Sequence, residues 1–282
     1  MGNFLKNINE LILFKHSIFS LPFIFIAMVV SADGWFGYEL LFLGILSAVT
    51  ARNFAMAFNR YLDIDHDSLN PRTKNRPSVD GRLNSKTILL FTLLNGLGFI
   101  VTAYFVNELA FYLSVPILLV LASYSYFKRF SYLAHLILGL SLGLAPIAGV
   151  IAVEESITLW SIFLSLGVLF WVAGFDLLYS LQDVDFDKKF ELHSIPSRFG
   201  VKKTFVISVT FHILTVIFWE LFVFESGLGL FSQIAVIFSA LMLSYEHYLV
   251  HKDFKKIDKA FFTINGYLGI IFFILIILEK WV

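Results

Sequence analysis

Residues 37–67 read GYELLFLGILSAVTARNFAMAFNRYLDIDHD, an apolar stretch that ends in a run of charged residues. The apolar part, residues 37–62, is long enough to cross a hydrocarbon core of about 30 Å as a helix. Its charged residues are Glu39 near its start, Arg52 inside the stretch, and those of the group from Asn59 to Asp67 at its end. The segment therefore predicts a membrane-spanning helix with most of its polar side chains at one end.

The composition of the whole chain also indicates a membrane protein. Of its 282 residues, 58% are hydrophobic and 15% are charged, compared with roughly 45–50% and about 25% in soluble domains. The 21 Lys and Arg residues balance 21 Asp and Glu residues, which argues against a basic nucleic-acid-binding surface. The chain has no cysteine, so disulfides, thiolate nucleophiles and thiolate metal sites are excluded.

Nine apolar segments recur along the chain and predict an all-α integral membrane protein with nine transmembrane helices. We interpret residues 1–282 as a single polytopic membrane domain with two halves, about 1–130 and 131–282. The first segment has no small-residue cleavage site before Asp33, so we do not expect it to be a removed signal peptide. The predicted spans are 17–32, 37–62, 87–106, 110–127, 133–153, 159–181, 204–224, 228–250 and 257–278.

The basic residues are concentrated in alternate loops. Nineteen of the 21 Lys and Arg residues lie before the first span, in Lys6 and Lys15, or at and after the ends of the second, fourth, sixth and eighth spans, whereas the other four loops have none. The exceptions are Arg52, inside the second span, and Lys280, near the C-terminus. Lys and Arg near span ends are retained on the cytoplasmic side. We therefore expect a cytoplasmic N-terminus and an external C-terminus.

Two acidic segments, at the ends of the second and sixth spans, look like copies. They read NRYLDIDHD from residue 59 and YSLQDVDFD from residue 179. Only residues three or four apart share a helix face. The first acidic row is therefore Asn59, Asp63 and Asp67, and the second is Tyr179, Asp183 and Asp187. Asp65 and Asp185 are expected to point elsewhere, and Asp176 lies on the face of the second row about two turns deeper.

The two acidic rows favour a bound cation, because carboxylates four residues apart on a helix repel one another. Oxygen ligands are those that Mg²⁺ prefers, and Mg²⁺ commonly binds through one or two carboxylates together with phosphate oxygens. A diphosphate substrate is the natural inference. Ordinary solvated helix ends are the alternative, which two matched rows make less attractive.

Basic residues close to the rows support the phosphate interpretation. The loop after the first row carries Arg72, Lys74, Arg76 and Arg82, and arginine guanidinium groups match phosphate oxygens. The alternative is that this loop only reflects the membrane orientation. Tyr124 and Lys128 are also four residues apart, at the end of the fourth span.

Arg52 is costly inside a span and therefore suggests a polar cavity. It precedes Asn59 by seven residues, which places it on the face of the first row but roughly 10 Å deeper. A receptor for an anionic group of a substrate would be placed in this way. An internal partner such as Asp176 is the alternative.

Together these features resemble the UbiA-type intramembrane polyprenyltransferases, and in particular the 4-hydroxybenzoate polyprenyltransferase-like branch that serves respiratory quinones. Arg60 stands where the family usually has Asp, and because position 60 lies off the face of the first row we expect it to matter little. The opening KHSIFSLP at residues 15–22 and SVDG at residues 78–81 are similar to that branch. The family motif NDxxDxxxD matches Asn59, Asp63 and Asp67, and the second acidic motif, DxxxD, matches Asp183 and Asp187. The RTxxRP motif matches residues 72–77, and the YxxxK motif matches Tyr124 and Lys128.

The resemblance implies nine helices around a central cavity and transfer of a polyprenyl group from an allylic diphosphate to 4-hydroxybenzoate or a 1,4-dihydroxynaphthoate, including the 6-naphthoate. It implies a bacterial inner-membrane enzyme of ubiquinone or menaquinone biosynthesis with no obligatory protein partner. The acceptor, the tail length and the oligomeric state stay open. The implied roles are Mg²⁺ binding by Asp63, Asp67, Asp183 and Asp187; diphosphate binding by Arg72, Arg76 and Lys128; acceptor binding by Arg52 and Asn59; cation stabilisation by Tyr124 and Tyr179; and proton transfer by Asp176 or the diphosphate.

Two alternative functions are kept. One is a family member with a haem, chlorophyllide or lipid acceptor. The other is a cation-coupled transporter, since intramembrane Arg and Asp residues also mark ion and solute paths. Both acidic rows follow even-numbered spans and so end on the same side, which argues against the inverted repeats of many transporters.

Overall fold

The computed structural model describes residues 2–12 and 21–281, and these form helices joined by turns and by a longer loop at residues 70–84, with no strand among them. Short 3₁₀ turns at Leu181–Asp183 and Phe254–Lys256 and a π-helix at Ala260–Ile264 connect some of the helices. The helices are α1 (Gly2–Ile12), α2 (Leu21–Ser31), α3 (Tyr38–Leu62), α4 (Ile64–Leu69), α5 (Ser85–Val106), α6 (Glu108–Phe127), α7 (Ala134–Glu154), α8 (Leu159–Ser180), α9 (Val184–Lys189), α10 (Ile195–Glu225), α11 (Leu230–Lys252), α12 (Ile257–Lys259) and α13 (Asn265–Trp281).

Eight of the predicted spans are present as helical segments long and apolar enough to cross a membrane, within the described part of the chain. They are α3, α5, α6, α7, α8 with its continuation to Lys189, α10, α11 and the run Ile257–Trp281. The remaining span corresponds to α2, which has 11 residues, and its predicted start at residues 17–20 lies outside the described residues. The all-α membrane fold is confirmed, and the count of nine stays a prediction.

The helix α10 begins earlier than the predicted span at residue 204. Ser194 caps it by accepting a hydrogen bond from the Ser197 amide, and Pro196 occupies the first turn, where its missing N–H costs nothing. Gly200, with a φ of 76°, bends the chain before the apolar part begins. The cap at Ser194 thus starts the helix earlier than hydropathy alone predicts.

The core lies between α2, α8, α10 and α13, around aromatic side chains that have almost no exposed surface. The ring of Phe23 lies 5.1 Å from Trp171 and 5.4 Å from Trp219, and Trp219 lies 4.9 Å from Phe272. The outer surface is also apolar: on α5, Leu90 and Leu93 are 58% and 59% exposed. Apolar residues both inside and outside are typical of a helix bundle surrounded by lipid.

Close packing of α7 against α8 depends on glycine. A Cβ at Gly139 would lie 2.3 Å from the backbone oxygen of Leu169, and one at Gly143 would lie 2.9 Å from that of Ser165. Small residues four apart let two membrane helices approach closely. This contact holds α8, and with it the second acidic row, at a fixed distance from α7.

Gly139→Ala is therefore expected to lower the stability of the protein, by about 1–3 kcal/mol, because the added methyl group pushes the two helices apart. The measurement is the thermal unfolding temperature of the purified protein in detergent. Gly98→Ala is the matched control, since a Cβ there meets Thr50 Cγ2 at an ordinary 3.4 Å and alanine favours the helix. Equal unfolding temperatures for the two variants would contradict the close contact.

Candidate active site

Both acidic segments break their helices at the same point. The helix α3 ends at Leu62, and Asp63 (φ −93°, ψ 6°) leads into α4. In the second segment α8 ends at Ser180, and Asp183 (φ −105°, ψ 5°) leads into α9. The backbone keeps its four-residue spacing across the first break, since the amides of Asp63 and Asp67 donate to the carbonyls of Asn59 and Asp63 at 3.0 and 2.7 Å.

The carboxylates of both rows line one polar cavity of about 260 Å³. Asp63 and Asp67 come from one side of it and Asp183 and Asp187 from the other. Asp65 and Asp185 are exposed and do not line the cavity, as the four-residue spacing predicts.

Basic side chains are already paired with these carboxylates. Arg76 Nη1 lies 2.6 Å from Asp67 Oδ2, and Lys128 Nζ forms an ion pair with Asp63. Asp187 instead accepts a hydrogen bond of 2.7 Å from the hydroxyl of Ser194. The predicted diphosphate-binding and metal-binding residues are therefore brought together in one place.

Arg72 connects the two segments directly. It lies in the loop after the first row, yet its guanidinium forms an ion pair with Asp183 and donates to the Tyr179 hydroxyl at 3.1 Å. Burial lowers the pKa of Arg72, but the hydrogen bond and charge of Asp183 outweigh this effect and raise it overall. Arg72 is thus a permanent positive charge at the mouth of the polar cavity.

Several partners in this region have no signature in the sequence. Asn70 Nδ2 donates to Asp183 at 3.2 Å, and Thr73 donates to the backbone oxygen of Asp67 at 2.9 Å. Arg82 holds the far end of the same loop by two hydrogen bonds to Glu10 of α1, at 2.6 and 2.8 Å. The loop that carries the RTxxRP motif is in this way fixed over both acidic rows.

A larger, mainly apolar cavity of about 360 Å³ adjoins the polar one. Arg52 lines it, together with apolar side chains from α2, α3, α5, α6, α7 and α8. We call the two cavities together the chamber. Residues that line both are Asn59, Arg60, Arg72, Arg76, Tyr124, Leu138, Asp176 and Tyr179.

The two predicted tyrosines lie where the cavities meet. The ring of Tyr179 packs 4.4 Å from that of Phe261, and the Arg72 guanidinium carbon lies 5.4 Å from its centroid. Tyr124 comes from α6, on the opposite side from α8. An electron-deficient group at this junction would lie near both rings.

Asp176 is paired with a residue that the sequence analysis did not single out. Its Oδ2 lies 2.7 Å from His135 Nδ1, and His135 is 5% exposed and lines the polar cavity. Because the two residues are far apart in the chain and lie on different helices, no spacing rule links them. The pair places a carboxylate and an imidazole side by side at the polar cavity.

Asn59 is held by its neighbours in the first row. Its Nδ2 donates to Asp63 Oδ2 at 2.9 Å and to Ser125 Oγ at 3.2 Å, while its Oδ1 accepts from Arg60 Nη1 at 3.1 Å. The amide thus orients a carboxylate on one side and a guanidinium on the other.

The expectation that Arg60 lies away from the site is wrong. Although its Cα is off the face of the row, its side chain is long enough to turn back, reach Asn59 and line both cavities. Only 6% of the residue is exposed. A helical-face argument places Cβ atoms and does not place the end of an arginine side chain.

The chemistry of the polar cavity suits Mg²⁺. The four carboxylates supply only oxygen ligands, and Asp63 Oδ1 is buried and accepts no hydrogen bond from a described residue, with Arg129 Nη2 at 3.8 Å. In the described ranges no three acidic or histidine residues converge closely enough to enclose a metal. Mg²⁺ commonly completes its shell with water and substrate phosphates, so a site of this kind fits it.

Comparisons with known proteins agree with the helical membrane fold and with the family resemblance. The model of the UbiA prenyltransferase family matches residues 20–277. A 4-hydroxybenzoate octaprenyltransferase of Tolumonas auensis is 28% identical over 254 residues, covering 88% of this chain and 86% of that protein. The apo structure of a UbiA homolog from Aeropyrum pernix K1 has a TM-score of 0.85 at 29% identity, covering 94% of this chain and 98% of that one.

A second solved structure supports the fold alone. A UbiA homolog from Archaeoglobus fulgidus, bound to GPP and Mg²⁺, has a TM-score of 0.79 at 19% identity and covers 98% of this chain and 100% of that one. The arrangement of helices is therefore shared along almost the whole chain.

Proposed function

The chain belongs to the UbiA prenyltransferase family, and on this premise we propose that it transfers a polyprenyl group from an allylic polyprenyl diphosphate to a hydroxylated aromatic carboxylate. The acceptor is 4-hydroxybenzoate or a 1,4-dihydroxynaphthoate, including the 6-naphthoate, in ubiquinone or menaquinone biosynthesis. One observation carries the proposal: a polar cavity lined by five carboxylates, including the four of the acidic rows, and by four arginine and lysine side chains opens into an apolar cavity that Arg52 lines.

The polar cavity binds the diphosphate in this proposal. Arg72, Arg76 and Lys128 line it and exchange their carboxylate partners for phosphate oxygens, which guanidinium and ammonium groups bind well. Asp63, Asp67, Asp183 and Asp187 would hold Mg²⁺, which supplies positive charge that neutralises the departing diphosphate. The three basic side chains stabilise the same charge as the C–O bond breaks.

The prenyl tail occupies the apolar cavity, with its reacting carbon at the junction of the two cavities. Heterolysis leaves an allylic cation there, and the faces of Tyr124 and Tyr179 stabilise positive charge. The surrounding apolar side chains exclude water that would otherwise capture the cation.

The acceptor ring approaches the same junction with its carboxylate towards Arg52. An electron-rich carbon ortho to the hydroxyl group forms the new C–C bond, and the ring then loses its proton. Asp176, oriented by its hydrogen bond to His135, receives that proton, or the released diphosphate does. Asn59 contributes by orienting Asp63 and Arg60.

We further propose a bacterial inner-membrane location with the chamber mouth and N-terminus on the cytoplasmic side and the C-terminus outside. The concentration of basic residues in the loops beside the acidic rows supports this orientation. Both rows lie around one cavity at the same ends of α3 and α8. A transporter site is typically at the middle of the membrane, so we favour the transferase over the transporter.

The test is mass spectrometry of products from membranes that contain the protein. Geranyl diphosphate and Mg²⁺ are supplied with 4-hydroxybenzoate, 1,4-dihydroxy-2-naphthoate or 1,4-dihydroxy-6-naphthoate in separate reactions. We expect a geranylated ring from at least one acceptor, and we expect EDTA to abolish its formation because the carboxylates then lack their metal. Lack of product from all three, beside a working homologue, would contradict the proposed acceptor class.

A further inference from the structure

Arg60 is the most deeply buried basic side chain of the chamber and differs from the others in its partner. It is 6% exposed, and its Nη1 donates to the neutral amide oxygen of Asn59 at 3.1 Å. It lines the polar and the apolar cavity at once. Among the residues that the structure describes, it forms no ion pair with a carboxylate.

The other basic side chains of the polar cavity have carboxylate partners. Arg72, Arg76 and Lys128 are paired with Asp183, Asp67 and Asp63 respectively. A buried charge is costly unless an opposite charge lies beside it. Arg60 therefore needs an anion that the polypeptide itself does not place within ion-pair distance.

The charge around Arg60 strengthens this requirement. Arg76 repels it from the polar cavity, and Arg60 itself acts unfavourably on Arg52, the basic residue of the apolar cavity. Asp63 and Asp67 attract Arg60, but each of these carboxylates is engaged by its own basic partner, Lys128 or Arg76. An anion bound between Arg52 and Arg60 would relieve the repulsion between them.

We propose that Arg60 is a specificity-determining residue that binds the carboxylate of the aromatic acceptor together with Arg52. This inference rests on the proposed function and assigns one side chain to one substrate. In the proposed function the acceptor carboxylate lies towards Arg52 in the apolar cavity, and Arg60 lines that cavity as well.

The diphosphate is the other candidate anion, and the geometry favours the acceptor over it. Three basic residues already surround the carboxylates in the polar cavity. Arg72 and Arg76 line both cavities too, but carboxylates of the two rows hold their guanidinium groups, whereas the neutral amide of Asn59 holds that of Arg60. The two substrates give opposite predictions for the Michaelis constants, so an experiment separates them.

The experiment compares Arg60→Gln and Arg60→Lys with the wild-type protein in detergent. Equilibrium binding of 4-hydroxybenzoate and of its uncharged methyl ester is measured by calorimetry, followed by steady-state kinetics with geranyl diphosphate and Mg²⁺. Arg198→Gln is the matched control, since it removes an exposed guanidinium outside both cavities. Thermal unfolding of every variant checks that the protein folds.

We expect Arg60→Gln to weaken 4-hydroxybenzoate binding by about 10- to 100-fold, the effect of losing a charge-assisted hydrogen bond. The ester should bind both proteins alike, Arg60→Lys should lie in between, and the KM for geranyl diphosphate should stay within about twofold of wild type. Equal loss for acid and ester, or a rise only in the KM for geranyl diphosphate, would overturn the inference. Binding is measured without turnover, so the two proposals can fail separately. A wild-type protein that binds 4-hydroxybenzoate yet forms no prenylated product would refute the proposed function, but it would leave the role of Arg60 in binding the carboxylate unaffected.

Discussion

Asp63→Ala and Asp183→Ala are each expected to lower prenyl transfer by at least about 10³-fold, whereas Asp65→Ala and Asp185→Ala keep activity close to wild type. The first two carboxylates line the polar cavity. The other two belong to the same short segments but are exposed and lie outside it. Loss of a cavity carboxylate removes a proposed ligand for Mg²⁺ and leaves a basic side chain without its partner.

The measurement is the initial rate of product formation from geranyl diphosphate and the best acceptor at saturating Mg²⁺. Asp63→Asn and Asp183→Asn are included because they keep the shape of the side chain while removing its charge. Unfolding temperatures within a few degrees of wild type would show that the loss is chemical. If Asp65→Ala inactivates the enzyme as strongly as Asp63→Ala, the assignment of the first row is refuted.

These matched pairs illustrate what periodicity alone can predict. Four-residue spacing correctly separates Asp63 and Asp67 from Asp65, even though the helix breaks at Asp63. The prediction survives because the backbone hydrogen bonds across the break keep helical spacing. The break itself has no strong signal in the sequence, since no proline or glycine lies between Asn59 and Asp67.

Long side chains and tertiary partners are where the sequence is least informative. The helical face correctly places position 60 off the first row, but it describes where Cβ points, whereas the guanidinium of Arg60 lies several bonds further on and reaches both cavities. The pairing of His135 with Asp176, and of Asn70 with Asp183, joins residues from different elements. Contacts of this kind depend on how α7, α8 and the loop pack together, which no local pattern records.

Hydropathy predicts most of the membrane fold because long apolar segments have few alternatives in lipid. Eight predicted spans are present as helices within the described residues. The first residue of a helix differs from the prediction where a capping residue determines it, as Ser194 does for α10. The glycines that bring α7 close to α8 could not be identified in advance, since the chain has 17 glycines and only the packing distinguishes Gly139 from the rest.

Arg76→Gln is expected to lower kcat/KM for geranyl diphosphate by about 10²-fold, since it removes a preorganised positive charge from the leaving group. Arg76 lies 2.6 Å from Asp67 in the polar cavity, and we expect Arg72→Gln to behave in the same way through its contact with Asp183. The KM for the aromatic acceptor should change by less than about threefold, because neither guanidinium is assigned to it.

The control for this prediction comes from the same loop. Lys74→Gln also removes a positive charge, but Lys74 is exposed and lines neither cavity, so its kinetics should match wild type once unfolding temperatures are compared. Equal losses for Arg76→Gln and Lys74→Gln would mean that the positive charge of the loop matters and not the position of Arg76. Arg76 and Arg60 line the same wall and repel each other. A loss in the use of the diphosphate by Arg76→Gln and a loss in the binding of the acceptor by Arg60→Gln would show that these two arginines bind different substrates.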